Sequence, residues 1–553
     1  MRPKFRALLR LAAVLAGVAC SDDARLELRL GEEQEAVAAE ELYSMGHLVE
    51  VEIEIDPNDW ETLRLEGRDM VGVFARTQQD YEYTYFDASV TIDGVRHEHA
   101  GVRKKGYWGS LSVVRPSFKI DLDRYQPEGS HFGVDKLTLN NDLADPSHTH
   151  ECMTYSLFAA AGLPASRCNL AHIVVNGSDL GTYSNVEAID EPMLARHFGD
   201  GEGNLYEGQV SDFVRADLDR MELKNNRKKN DRSDLGALVD ALEAPDAELL
   251  ERVGALVDVE RFRDFWAMEL LTGHWDGYAN NANNYMAYHD PRSGRFHLLP
   301  WGTDSAFEIA NPRGRIYANG RLASQLYRLP EQQQLLWARF AELTDTVWDT
   351  AGLLAHVDQV EAIAPDAPAS LLAQKREYIT SRQSRLRATF GGKPPRPRAR
   401  RTSPCAGLLG DITGTFATAF SPQDVSPDGA GDFHAALSLD GEAVEGATWS
   451  GQATLEPGVP QPIPSIRLTG RFGDNREVTL QLFVEPTRFQ PGVHPFHGVE
   501  TYGVVNAGDV GTAGFAARIG GGSITLAEAA AVPGAPVSGR FEARTYQVGC
   551  IWR

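Results

Sequence analysis

The chain has 553 residues, 42% of them hydrophobic and 24% charged, with 52 glycines and 29 prolines. That balance excludes a fibrous or wholly disordered protein and leaves room for several domains. Lys and Arg number 54 against 77 Asp and Glu, a formal net charge of −23, which argues against nucleic-acid binding driven by phosphate neutralisation.

In chain order, Arg2, Lys4, Arg6 and Arg10 precede an apolar stretch, Leu11–Ala19. It is too short to cross a bilayer, which takes about 20 residues. Residues 1–20 therefore read as a signal peptide. Cys20 after Gly17-Val18-Ala19 resembles the acylated cysteine of bacterial lipoproteins. This predicts an exported protein of the cell envelope or surface, with a lipid anchor at Cys20; simple cleavage and secretion is the alternative. Residues 21–46, acidic and rich in Ala and Glu, predict a polar tether.

Residues 47–390 read as a mixed α+β domain. Val49–Ile55 alternates apolar and polar residues, the pattern of a half-buried strand, and residues 116–125 follow the same rule. Residues 135–200 combine a short strand, a helix and another strand. Residues 234–275 read as helical, with Asp258 a cap for the run that follows it. Val259, Phe262, Trp266 and Leu270 fall near one face of that helix, and Gly273 ends it. A short strand at 296–301 precedes a second helical region at 330–390.

Residues 391–404, dense in Gly, Pro and Arg, make a linker. From 405 to 553 short alternating strands dominate, such as Val478/Leu480/Leu482/Val484, which predicts an all-β sandwich or barrel. Four cysteines follow Cys20. Cys405 and Cys550 bracket the β domain, and joining them would stabilise it by roughly 2–4 kcal/mol. Cys152 and Cys168 either pair or stay buried as small hydrophobes. His97, His99, His148 and His150 lack zinc-site spacing and read as surface or strand histidines.

The chemistry is concentrated in 47–310. DPNDWETLR (56–64), GVRKKGYWGS (101–110), RPSFKIDLDRY (115–125), FGVDKLTLNNDLADPS (132–147), HIVVNGSDLGTYSNVEAID (172–190), RHFGDGEGNLYEG (196–208), HWDGYANNANNY (274–285) and FHLLPWGTDSAFE (296–308) occur in this order. Together they resemble the CotH kinase family. The resemblance implies an atypical protein-kinase-like core, here followed by the β domain. It also implies transfer of the ATP γ-phosphate to protein serine or threonine, with Mg²⁺.

Carried onto this sequence residue by residue, the resemblance assigns Lys119 to the α/β-phosphates. On the strand alternation Lys119 faces away from Phe118 and Ile120. The loop Gly106-Tyr107-Trp108-Gly109-Ser110 would cover the phosphates, although family members often carry a Gly-Asn-Ser-Ser type segment there. Glu151 would pair with Lys119. Asp276 would meet the acceptor hydroxyl. Asn281, five residues on, has the spacing of the general kinase catalytic loop, whereas Asn284 precedes Tyr285 as the family's Asn-Tyr does. Either would hold metal with Asp304. Many family members have Asp directly after Pro-Trp, where this chain has Gly302. Glu187 and Asp190 match a family segment and would flank the nucleotide, or else belong to a turn at the end of a strand.

The stretch Lys224–Lys229 reads as a solvated loop or a contact for an acidic acceptor or phosphate. Three functional readings follow: an exported kinase with an unidentified protein acceptor, a catalytically inactive kinase-like surface lipoprotein that binds or adheres, and a metal-dependent hydrolase.

Overall fold

A computed structural model of the chain describes residues 37–75, 81–107, 110–127, 129–228, 231–308, 316–390, 393–397, 406–422, 431–439, 442–443, 445–456, 462–497, 500–509 and 515–548. The signal peptide with Cys20, Gly109, Lys229 and the Cys405–Cys550 pair lie outside the described residues.

Seven strands close into a barrel: β1 (Leu48–Ile55), β2 (Phe86–Ile92), β3 (Val95–Lys105), β4 (Ser117–Asp121), β5 (Lys136–Asn140), β6 (Cys168–Val175) and β7 (Ser178–Glu187). The order is β1-β2-β3-β4-β5-β7-β6, and β6 pairs in parallel with β1 to complete it. Alternation drives the closure: Val49, Val51 and Ile53 of β1, Phe118 and Ile120 of β4, and Leu137 and Leu139 of β5 fill one interior. Lys119 points the other way, as its strand pattern predicts. In the β3–β4 register Arg103 lies opposite Lys119 and Lys105 opposite Ser117. Arg103, Lys105 and Lys119 therefore share the outer face.

Against that face lies a four-stranded sheet of order β11-β10-β8-β9, made of β8 (Asn204–Gly208), β9 (Glu222–Leu223), β10 (Tyr285–Asp290) and β11 (Arg295–Pro300). Helices pack on it. The helix Val259–Thr272 starts at Asp258, whose carboxylate accepts from the Arg261 amide at 3.0 Å, and stops at Gly273, as expected. Its second half is buried on all sides, from Phe265 to Thr272, so it is a central helix rather than an amphipathic one.

The C-terminal domain is all β. Its strands are β12 (Ala406–Ala419), β13 (Gly431–Leu439), β14 (Glu442–Ala443), β15 (Thr448–Glu456), β16 (Ile463–Arg471), β17 (Arg476–Val484), β18 (Gly492–Pro495), β19 (Thr501–Asp509), β20 (Phe515–Glu528) and β21 (Pro536–Val548). They form one continuous antiparallel sheet that folds onto a single apolar core containing Phe416, Leu480 and Phe541. A parallel bridge from Phe420 to Ala453 brings its two ends together.

This domain touches the barrel side of the protein. Asp69 accepts a hydrogen bond from the Tyr546 hydroxyl. Glu500 accepts from the Ser112 hydroxyl and, at 2.9 Å, from the Val113 amide. Gly67 lies flat on the His497 ring, where a Cβ would come within 2.0 Å of Cε1, so only glycine fits.

Several expectations need correction. Residues 37–46 are not tether: Leu42 and Tyr43 are buried in the barrel region, and the Asn169 amide donates to the carbonyls of Leu42 and His47. The 391–404 linker is not free along its length, because Ile316 donates its amide to the Arg396 carbonyl and Tyr327 its hydroxyl to that of Pro395. His148 and His150 are buried, not surface residues. Cys152 and Cys168 are joined as a disulfide, Cα–Cα 5.0 Å, tying the helix His150–Ala160 to β6.

Candidate active site in the cleft

Between the barrel's outer face and the second sheet lies a cleft of about 1710 Å³. Lys105, Lys119, Glu151, Asp276, Asn284 and Asp304 all line it, as do Gly106 and Ser110. Those of the sequence-predicted site residues that are described therefore gather in one place, with the exception of Glu187.

The β10–β11 hairpin explains part of that convergence. Tyr285 pairs with Pro300, so the residues just outside the hairpin, Asn284 and Trp301-Gly302, meet at its open end. Gly302 has φ +55°, and a Cβ there would stand 2.8 Å from Asn284 Oδ1. A side chain at this position would therefore have to adopt a left-handed backbone and press on Asn284.

Asp276 is held by three amides. Asn281 Nδ2 donates to Oδ1 at 2.6 Å; Asn284 and Asn283 donate to Oδ2 at 2.9 and 3.2 Å. Burial raises its pKa to about 6, against those three bonds. The carbonyl oxygens of Asn281 and Asn284 meet no donor among the described residues, whereas Asn283 Oδ1 accepts from the Val210 amide at 3.1 Å. The loop itself is held from below by Glu269, whose carboxyl accepts from the amides of Tyr278 and Ala279 at 2.6 and 2.9 Å. Burial pushes Glu269 up to about 8. Sequence reasoning missed this residue, because it reads as one polar position on a helix.

Asp304 follows β11 as expected. No hydrogen bond to its carboxylate occurs among the described residues. Burial, with Glu151 and Asp276 nearby, pushes its pKa well above the usual carboxylate range. Its carbonyl accepts from His150 Nδ1, while the Lys375 ammonium meets His150 Nε2. A carbonyl only accepts, so His150 Nδ1 carries the proton in the neutral form. Burial favours the same form, lowering its pKa to about 4.

Lys119 makes no hydrogen bond among the described residues, and burial lowers its pKa to about 7. Its ammonium lies 5.7 Å from the Trp301 ring centre. The expected Lys119–Glu151 ion pair is absent among the described residues. Glu151 instead accepts from Asn140 Nδ2 at 2.5 Å, and Asn140 Oδ1 accepts from Lys105. Burial pushes Glu151 up to about 7, with Lys105 opposing. Lys105 was overlooked because Arg103, Lys104 and Lys105 are adjacent cations, and only the strand register separates their faces.

Glu187 is not in the cleft. It accepts from Arg167 Nη2 and from both Arg196 terminal nitrogens, each at 2.6 Å, at the end of β7. Burial would raise its pKa, but the two guanidinium groups hold it below the usual range. Lys224 does reach the cleft, bonded to Glu207 at 2.8 Å and Glu222 at 3.0 Å. Glu207 also accepts from Trp301 Nε1 at 3.2 Å and was not singled out in the sequence.

A strand barrel bearing cleft lysines, above a helical unit whose Asp-Asn loop and second acidic loop flank one hairpin, defines a protein-kinase-like fold. Residues 102–375, just under half of the chain, match the family model for the CotH kinase protein. It is 26% identical to "Inner spore coat protein H" of Bacillus subtilis (strain 168) over 216 residues, 37% of this chain and 57% of that protein. It is 25% identical to "Invasin CotH2" of Rhizopus delemar over 262 residues, 43% of this chain and 41% of that protein. The chain thus spans about half the length of the curated relatives it matches.

Proposed function

We propose that the protein is an exported protein kinase that transfers the γ-phosphate of ATP to a serine or threonine hydroxyl of a protein. The observation that carries this reading is the Asp276 carboxylate, fixed by three asparagine amides in a cleft that also holds two half-buried lysines.

The donors suit Mg²⁺. The Asp304 carboxylate has no hydrogen bond among the described residues, and the Asn281 and Asn284 carbonyl oxygens accept none there. Among the described residues no group of three His, Cys, Asp or Glu is placed to hold a metal ion of any kind, so a cation here would depend on asparagine carbonyls and the phosphates as well as Asp304. Oxygen donors, few of them charged, match a cation that shares its shell with phosphates. Asp304 with Asn281 or Asn284 would hold it, and Mg²⁺ when bound would offset charge on the β- and γ-phosphates.

Lys105 and Lys119 bind the phosphates, and an incoming anion favours their charged forms against burial. Gly106 and Ser110 border the same end of the cleft. Asp276 accepts a hydrogen bond from the acceptor hydroxyl, orients its oxygen towards the γ-phosphorus, and takes the proton as the new O–P bond forms and ADP leaves.

The names of the relatives, a spore coat protein and an invasin, support a place at the cell surface, and the lipoprotein-like N-terminus gives the route. Gly302 favours a second reading: with one carboxylate in the metal site instead of two, the protein would be an inactive kinase-like surface binder. Incubation of residues 21–553 with γ-labelled ATP and Mg²⁺ separates the two. The kinase reading requires label on protein, lost in folded Asp276→Ala and Asp304→Ala. Absence of both transfer and ATP binding overturns it.

A further inference from the structure

The C-terminal domain supplies one side chain to the segment that borders the phosphate end of the cleft. Glu500, just before β19, reaches across to residues 110–115. One carboxylate oxygen accepts from the Ser112 hydroxyl and the other from the Val113 amide at 2.9 Å. Ser112 Oγ, having donated to Glu500, accepts from the amides of Val114 at 3.1 Å and Arg115 at 2.8 Å. One donor and two acceptors exhaust the hydroxyl.

The same segment is tied to the cleft wall. Asn141 Nδ2 donates to the carbonyls of Ser110 at 3.0 Å and Arg115 at 2.6 Å, closing the turn from the barrel side. Ser110 Oγ accepts from the Tyr107 amide at 3.0 Å, which carries the constraint to the residue after Gly106. Leu111 is fully buried against Tyr83. Ser110, Gly106 and Tyr107 line the cleft, whereas Ser112 and Glu500 do not. The bonds therefore form a relay from the β domain to the cleft rim.

We propose that Glu500 is a positioning residue for nucleotide binding: it sets the conformation of residues 110–115 and so of the rim at Gly106 and Ser110. This rests on the ATP reading above. Glu500 touches no substrate; it acts through Ser112 and Val113. On this account the C-terminal domain is part of the working catalytic unit.

The test uses the full mature chain with Glu500→Ala, Ser112→Ala, the double variant, Glu500→Gln, and Glu477→Gln as a charge control on the same domain. MgATP affinity, kcat at saturating ATP and amide hydrogen exchange over 110–115 are measured, with thermal melts to establish folding. Loss of bonds to a charged acceptor predicts MgATP binding about tenfold weaker in each single variant, with kcat changed less than about twofold. The double variant should cost less than the sum of the single ones, because the two substitutions share the Glu500–Ser112 bond although each also removes bonds of its own. Exchange over 110–115 should accelerate, Glu500→Gln should restore part of the affinity, and Glu477→Gln should leave it unchanged. Wild-type binding with unchanged affinity in folded Glu500→Ala overturns this inference alone, as do additive effects in the double variant. Wild-type protein that binds no MgATP removes the ATP reading, and the inference with it.

Discussion

Lys105 and Glu151 are joined through one side chain, that of Asn140, whose carbonyl oxygen takes the ammonium and whose amide donates to the carboxylate. The Lys105 ammonium also lies 5.4 Å from the centre of the Trp301 ring. Burial lowers the Lys105 pKa, and with a neutral amide as its hydrogen-bond partner the lysine is left for an anion to pair with and charge. Lys105→Met is expected to weaken MgATP binding about tenfold or more, as loss of a charge-assisted contact does. Glu151→Gln should couple to Lys105→Met and add independently to Lys119→Met. ATP titration of the single and double variants checks this; coupling to Lys119 instead would reinstate the pairing expected from the sequence.

Glu187 provides the contrasting case. Between Arg167 and Arg196 it is a buried ion-pair centre away from the cleft. Glu187→Gln leaves two guanidinium groups facing a neutral side chain, and stability should fall by about 3 kcal/mol. MgATP affinity of the folded protein should change by less than about twofold. Denaturant melts and ATP titration report the two quantities separately.

Gly302→Ala places a Cβ in a left-handed conformation and against Asn284 Oδ1. The expected cost is about 1–3 kcal/mol in stability. A further result should be a higher Mg²⁺ requirement, because the displaced Asn284 is both a bond to Asp276 and a candidate metal donor. Mg²⁺ titration of ATP binding is the measurement. An unchanged requirement would place the metal on Asn281.

Lys104 faces away from the cleft and donates to the Arg64 carbonyl at 2.6 Å, at the end of the helix Pro57–Leu65. Burial lowers its pKa to about 7, with Glu500 and Glu66 opposing. Between that value and the ordinary value of 10.5 the folded chain binds fewer protons at this site than the unfolded chain, so this group makes stability rise with pH across that window. Lys104→Met removes that contribution. The melting-temperature difference between wild type and variant should shift in favour of wild type from pH 7 to pH 10, measured by thermal melts at fixed ionic strength.

What could be read in the sequence follows from the kind of information each residue carries. Period-two alternation put Lys119 on the outer face of β4, and the Asp258 cap and Gly273 stop bounded the central helix. Those signals are local. The Asn-rich run after Asp276 announced a constrained carboxylate, and all three asparagines that hold it lie within eight residues. Lys105, Asn140, Glu207 and Glu269 were silent because their roles depend on strand register and on contacts between distant segments. Glu187 was misplaced for the same reason. A carboxylate at a strand end looks alike whether it faces a nucleotide or two arginines. His148 and His150 were taken for surface residues because a short polar stretch gives no sign that Asp142 and Lys375 will bury them.

The residues that follow the last kinase-domain helix run beside Ile316 and Tyr327 on the helical side of the cleft. The domain to which that chain leads is fastened, through Asp69, Ser112 and Val113, to the barrel side. Any rotation of the barrel side away from the helical side would have to break the contacts at Asp69 and Glu500, so the ease of widening the cleft would be set outside it, by the grip of the C-terminal domain.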